Sequence, residues 1–163
     1  GLHKFSCRTC IKSWRIPLKM RIYISCDHAG FELKQKLVVF LEASGYEVID
    51  KGAYKYDEKD DYPDFISMVR DAVSEDDFAR GVIIGGSGQG EAMVANRAPN
   101  VRSGVYYGGN LDVVRLLREH NNANILSLGA RLMNEEEAKK AIEIFLETKF
   151  SDDDRHIRRL AKF

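Results

Sequence analysis

Short runs of β-branched and aromatic residues alternate along this chain with stretches whose apolar residues recur every three or four positions. Met20–Cys26 (MRIYISC) reads as a strand. From Ala29 to Ser44, Phe31, Leu33, Leu37, Phe40 and Leu41 mark one helical face, and Gly45 stops the helix. Tyr46–Ile49 is a second strand, residues 50–62 form a polar loop, and Pro63 opens a helix reaching Val73. Gly81–Ile84 is a continuous apolar strand, expected to be buried on both faces. A short helix follows over Glu91–Ala98, then a strand over Val101–Tyr107. The helix Leu111–His120 is expected to turn Leu111, Val114, Leu116 and Leu117 inward. Asn124–Leu128 is the fifth strand. The helix Glu135–Lys149 carries Ala138, Ala141, Ile142, Phe145 and Leu146 on one face, and a charged helix over Asp152–Phe163 closes the chain.

This alternation predicts a doubly wound α/β domain: a parallel sheet with helices on both faces, joined by right-handed crossovers. Ligands of such folds bind beyond the carboxyl ends of the strands, near the point where strand order reverses. Three such ends are chemically loaded: Asp27-His28, the heptapeptide GGSGQGE (Gly85–Glu91), and Gly129-Ala130-Arg131.

Composition narrows the picture. The 163 residues suit one domain with a real core, and 44% hydrophobic with 31% charged residues is a globular balance. No apolar run approaches the ~18 residues of a membrane span. A net charge of zero gives no support to nucleic-acid binding. The charge is unevenly spread, however. Residues 1–19 hold five basic residues and no acid, which leaves 20 basic against 25 acidic residues in the body, about −5. Three readings of this basic extension stand: a stretch upstream of a natural start at Met20, an acid-free targeting presequence, or an ordered arm. Cys7 and Cys10 form a lone C-x-x-C without the second pair that zinc wants. Cys26 ends an apolar strand and is expected to be a reduced core thiol. Three scattered cysteines favour a reducing, cytoplasmic setting.

The glycine-rich heptapeptide fails three familiar patterns by one residue each. A P-loop needs Lys where Glu91 stands, and a carboxylate there repels a triphosphate. The dinucleotide fingerprint needs a third glycine at the same position. The nucleophile elbow needs glycine where Gln89 stands. What remains is a loop whose backbone N–H groups can hold an oxyanion, with a carboxylate beside it. That pairing suits proton abstraction alpha to a carbonyl. Glu91 can equally be read as a first-turn carboxylate facing the helix dipole. The dipole lowers a carboxylate pKa, so a base here requires burial to oppose it. Other positions are likewise double. Asp27-His28 is a cap or a pocket wall, and His120 a helix C-terminal cation or a catalytic group. Arg155 and Arg159, at i and i+4, are either a solvated helix face or a phosphate clamp.

Taken in order, several segments resemble the type B ribose-5-phosphate isomerases, whose family also holds galactose-6-phosphate and allose-6-phosphate isomerases. They are Cys26–Lys34, Asp61-Tyr62-Pro63, Gly86–Glu91 with Ala95-Asn96-Arg97, Arg118–Asn124, Gly129-Ala130-Arg131 and Arg155–Arg159. The resemblance covers residues 20 to about 160. It implies a Rossmann-like α/β/α fold whose C-terminal helix reaches a partner subunit. It also implies a homodimer, sometimes paired into tetramers, with active sites at the subunit interface. The implied reaction interconverts an aldose and a ketose phosphate through a cis-enediolate, with no metal and no cofactor. Carried over, Asp27 and His120 assist ring opening. The backbone of Gly86, Ser87, Gly88, Gln89 and Gly90 holds the enediolate oxygen. Ser87 and Asn121 bind the sugar, and His28, Arg131, Arg155 and Arg159 bind phosphate, some from the partner.

One departure matters. Many members carry a catalytic cysteine immediately before the glycine loop, where this chain has Gly85. Another branch has glycine there and a glutamate after the loop, as Glu91 stands here. The chain thus resembles the glutamate-base branch, with Cys26 dispensable. Six-carbon sugar phosphates are the alternative substrates, and a non-catalytic sugar-phosphate binder on the same fold is the alternative outside enzymology.

Overall fold

The computed structural model describes residues 19–163. The basic extension, with Cys7 and Cys10, therefore lies outside the described residues except for Lys19. The elements run β1 (Arg21–Cys26), a 3-10 turn (His28–Gly30), α1 (Phe31–Ala43), β2 (Glu47–Asp50), α2 (Tyr62–Ser74) and β3 (Arg80–Gly85). They continue as α3 (Gln89–Ala95), β4 (Ser103–Tyr106), α4 (Asp112–Asn121), β5 (Ile125–Gly129), α5 (Glu135–Glu147) and α6 (Asp154–Leu160). The five strands are all parallel in the order β2-β1-β3-β5-β4. The chain steps outward from β1 to β2, then crosses to build the other half from β3, so the order reverses between β1 and β3. Asp27 and the glycine loop leave the sheet at these two strand ends.

The period of two along each strand divides the core into two layers. Ile22, Ile24, Cys26, Val82, Ile84, Leu126 and Leu128 face Leu37 and Leu41 of α1, Val114 of α4 and the buried face of α5. Ile83 and Ile125 face the other way, onto Ile66, Val69 and Val73 of α2 and Ala95 of α3. The apolar strand over Gly81–Ile84 is buried on both faces, as its composition predicts. Helix α5 starts on a capping box between Asn134 and Glu137. Helix α2 starts on Pro63, and α4 ends on Asn122 in the left-handed conformation.

Three expectations need correction. Helix α3 starts two residues earlier than its pattern suggests, because Gly88, at φ 78°, makes the turn and puts Gln89 first in the helix. Strand β4 starts later, since Val101 packs into the α2–α3 layer instead of pairing. Leu116 is 37% exposed: it lies roughly 200° round the helix from Val114, which takes the inward position.

A buried lysine holds the sheet end together. Lys34 is 2% exposed, yet its Nζ donates to both oxygens of Asp50 (2.7 and 2.8 Å) and to the carbonyl of Ala53 (2.7 Å). The chain past β2 stays beside β1 through Cys26 N–H to Gly52 O (2.8 Å) and Ala53 N–H to Cys26 O (2.9 Å). Lys34 thereby ties α1 to the root of the 51–61 loop. The substitution Lys34→Met retains the stem volume but leaves the Ala53 carbonyl without its partner and the Asp50 carboxylate with only the Gly52 N–H (2.8 Å) and water. Urea denaturation should show a loss of about 2 kcal/mol, as for removal of one partner of a charged hydrogen bond.

Candidate active site

Strand β3 delivers Gly85 to the sheet edge, and the end of β5 clamps the glycine loop from the side. Ala130 N–H donates to Gly85 O (2.8 Å) and Arg131 N–H to Gly86 O (3.1 Å). Behind the loop, the buried Ser127 hydroxyl donates to Gly88 O at 2.7 Å. Gly129 lets the two segments touch, because a Cβ there would meet Ser87 O at 2.7 Å. The exposed face of the loop forms an open pocket of about 410 Å³ lined by Tyr62, Gly86, Ser87, Gly90, Glu91, Arg131 and Leu132. Ser87 is exposed at its rim, with Oγ accepting from Gln89 N–H at 3.4 Å.

Glu91 stands in the first turn of α3 and is only 4% exposed. Its carboxylate fills the space beside Gly85, so that a Cβ at position 85 would fall on it. Burial raises its pKa above the ordinary carboxylate range, and the nearby charge of Asp27 adds to the rise. The backbone amides of Glu91 and Gly88 pull the other way and lose. This is the opposition between burial and dipole that a general base at this position requires.

Asp27 is 6% exposed and caps the 3-10 turn, its Oδ1 accepting from Ala29 N–H (2.9 Å) and Gly30 N–H (3.3 Å). It is thus the cap of that turn, with its charge near enough to Glu91 to act on it. His28 Nδ1 lies 2.6 Å from Asp60 Oδ1, and the histidine pKa is raised, first by that hydrogen bond. Asp27, His28 and Asp60 bring one ligand-type atom each within 4.8 Å of one another. The ring nitrogen and one carboxylate oxygen of that trio are already engaged with each other. The Arg131 guanidinium lies against Gly86, 3.2 Å from where a Cβ would stand.

The remaining residues expected at the site are elsewhere in this chain. Helix α4 runs antiparallel to the sheet, so His120 and Asn121 lie at its opposite edge, separated from the glycine loop by roughly 15 Å of strand. His120 stacks on His156 of α6, with centroids 4.4 Å apart and planes at 16°. Arg155 and Arg159 of that helix are exposed. Asn121 lines a different hollow, of about 780 Å³, between residues 96–103 and the C-terminal helix. The residues fall into two groups: Asp27, His28, Gly86–Glu91 and Arg131 at one edge, and His120, Asn121, Arg155 and Arg159 at the other. Sequence reasoning missed Asp60 and Tyr62 as parts of the first group. Tyr62 belongs to the Asp61-Tyr62-Pro63 motif but had no role there, although its hydroxyl lies 2.6 Å from where a Cβ of Gly90 would be. Asp60 was one acid among several in a polar loop.

Comparison with known proteins supplies the family. The ribose/galactose isomerase family model matches residues 22–163. The chain belongs to that family. It is 40% identical over 141 residues to a ribose-5-phosphate isomerase B of Mycolicibacterium paratuberculosis, covering 86% of this chain and 87% of that protein. It is 35% identical over 140 residues to the Escherichia coli ribose-5-phosphate isomerase B, covering 86% and 91%. Among solved structures, the Mycoplasma genitalium ribose-5-phosphate isomerase B with bound ribulose-5-phosphate superimposes with a TM-score of 0.84 at 34% identity, over 89% of this chain and 94% of that one. The Clostridium thermocellum enzyme gives 0.82 at 40%, over 88% and 94%. The α/β/α fold with its five-stranded parallel sheet is the fold of these isomerases.

The Gly85–Glu91 contact is testable without any substrate. In Gly85→Ala the new methyl displaces the carboxylate toward water. Carboxyl-carbon NMR should show Glu91 titrating above the ordinary glutamate range in the wild type and moving down toward it in the variant.

Proposed function

We propose that this chain interconverts ribose 5-phosphate and ribulose 5-phosphate, with Glu91 as the base that moves a proton between C1 and C2. Family membership and the ribulose-5-phosphate bound to the Mycoplasma genitalium relative support the substrate class. The observation that carries the mechanism is the buried carboxylate of Glu91, its pKa raised by desolvation, beside the glycine loop in an open pocket. The carboxylate takes the C2 proton of the open-chain aldose, leaving a cis-enediolate. Backbone N–H groups from Gly86 to Gly90 donate to the enediolate oxygens. The same carboxyl returns the proton at C1, giving the ketose. Asp27 and His120 assist ring opening, Ser87 and Asn121 hold sugar hydroxyls, and His28, Arg131, Arg155 and Arg159 take the phosphate. No step calls on a metal or a cofactor. Allose 6-phosphate and galactose 6-phosphate are the alternative substrates, since the matched family spans ribose and galactose isomerases. Among the described residues no helix is long and apolar enough to cross a membrane. The free, buried thiol of Cys26 supports a cytoplasmic enzyme.

The two groups of residues at opposite sheet edges support assembly from two subunits. One chain supplies Glu91 and its loop, and a partner supplies His120, Asn121, Arg155 and Arg159. A homodimer with two-fold symmetry builds two such sites, and dimers can pair further into tetramers.

The first test is ribulose 5-phosphate formation from ribose 5-phosphate with EDTA present. Glu91→Gln should lose about 10²-fold or more in kcat with circular dichroism unchanged. Cys26→Ser should stay active: the thiol is fully buried, and desolvation pushes its pKa to about 12, so it is not a nucleophile near neutrality. The base works only when ionised, so kcat/KM should fall as pH drops through the raised Glu91 pKa. That acid limb should lie above the ordinary glutamate value of about 4.3. An active Glu91→Gln variant removes Glu91 from the mechanism, and a wild type inactive on pentose phosphate directs the assay to six-carbon phosphates.

The shared site has its own test. Glu91→Gln and His120→Ala, each inactive alone, should regain about a quarter of wild-type activity when refolded together, because half of the dimers are mixed and each has one intact site. Absence of recovery would show that both residues act within one chain.

A further inference from the structure

Asp60 ends the polar loop between β2 and α2, amid exposed Asp57, Glu58 and Lys59, yet its own side chain is only 7% exposed. Its Oδ1 makes two contacts with one residue, accepting from the backbone N–H of His28 at 3.2 Å and facing ring Nδ1 at 2.6 Å. One oxygen thus holds both the main chain and the ring of His28. The Tyr56 ring stands edge-to-face with the imidazole, centroids 6.3 Å apart, and with Phe31, centroids 6.2 Å apart. Asp60 Oδ2 is buried with no partner. A buried carboxylate with one unsatisfied oxygen costs stability, so fold stabilisation alone is a poor account of it.

A carboxylate on Nδ1 determines where the imidazole carries its first proton and stabilises the second. Nε2 makes no hydrogen bond among the described residues, and the side chain is 23% exposed. Of the charged groups facing the ring, Asp60 on its loop and Asp27 at the end of β1 favour the cation, while Arg131 after β5 opposes it. An anion bound between His28 and Arg131 relieves that opposition.

We propose that Asp60 is a positioning residue, which aims His28 and keeps it a cationic donor to the phosphate group of the substrate. This rests on the sugar-phosphate reading of the site. The mechanism carried over from the family motifs has no part for Asp60, and its effect passes wholly through His28.

Asp60→Asn keeps the shape and removes the charge. The Ki of inorganic phosphate as a competitive inhibitor and the KM for ribose 5-phosphate should each rise about tenfold, with kcat within about twofold, as for loss of one charge-assisted hydrogen bond. The His28 cation exists below its raised pKa and is lost as pH rises through it. Without Asp60 that loss comes earlier, so the alkaline limb of kcat/KM should move to lower pH. Asp60→Glu, which restores a carboxylate, should return the limb toward its original place. In a His28→Ala background Asp60→Asn should add less than about twofold to the phosphate Ki. An unmoved alkaline limb, or the same penalty with and without His28, overturns the proposal in favour of a role in loop stability. The His28 titration followed by imidazole NMR separates this idea from the wider reading. A His28 midpoint unchanged by Asp60→Asn overturns the pairing even in a protein inactive on pentose phosphate. A wild type that shows the shift but ignores phosphate overturns the phosphate role.

Discussion

The carboxylate of Glu91 occupies the space in which a side chain at position 85 would stand, and the chemistry of the site depends on that exchange of volume. Position 85 ends a central strand, where the sheet is dry on both faces. A carboxylate lodged there is desolvated by the same packing that buries β3, and it retains its proton more readily than one in water. The amides at the start of α3 limit this effect without reversing it. A group so placed can both accept a proton and release it. A glutamate at the same helical position over a larger residue at 85 would be forced outward, as an ordinary first-turn acid.

Everything that shapes the pocket serves to hold this short loop still. The β5 end donates two backbone hydrogen bonds to Gly85 and Gly86, and Ser127 holds Gly88 from below. On the other side, Lys34 anchors the root of the long polar loop through Asp50 and Ala53. The far end of that loop carries Asp60 to His28. A buried cation in α1 and a buried anion at the loop's far end are thus two fastenings of one segment. That accounts for a loop rich in charge being bound closely to the strand ends.

The doubly wound topology also separates residues that the family motifs bring together. Strand ends carry Asp27, Gly85–Glu91 and Arg131 to one edge, and helix ends carry His120 and Asn121 to the other. A parallel sheet imposes this, because each helix must return the chain to the starting edge. Within one chain the two groups therefore stand apart by the length of the strands.

Much of this was legible in the amino-acid sequence. Strand and helix periodicity determine the alternating layers, and the glycine run after an apolar strand marks the ligand end, because both depend only on local pattern. The one-residue mismatches at Glu91 and Gln89 reject the P-loop, the dinucleotide fingerprint and the nucleophile elbow for the same local reason. Three matters were left to the tertiary structure. The direction of the Glu91 pKa shift depends on burial against dipole, and burial is a property of the packed sheet. Asp60 could not be told from Asp57 or Asp61 until the loop folded back and one acid of the series met His28. The parallel sheet by itself puts His120 at the end opposite the glycine loop, but its sideways offset from that loop depends on the strand order β3-β5-β4, which no local run of residues encodes.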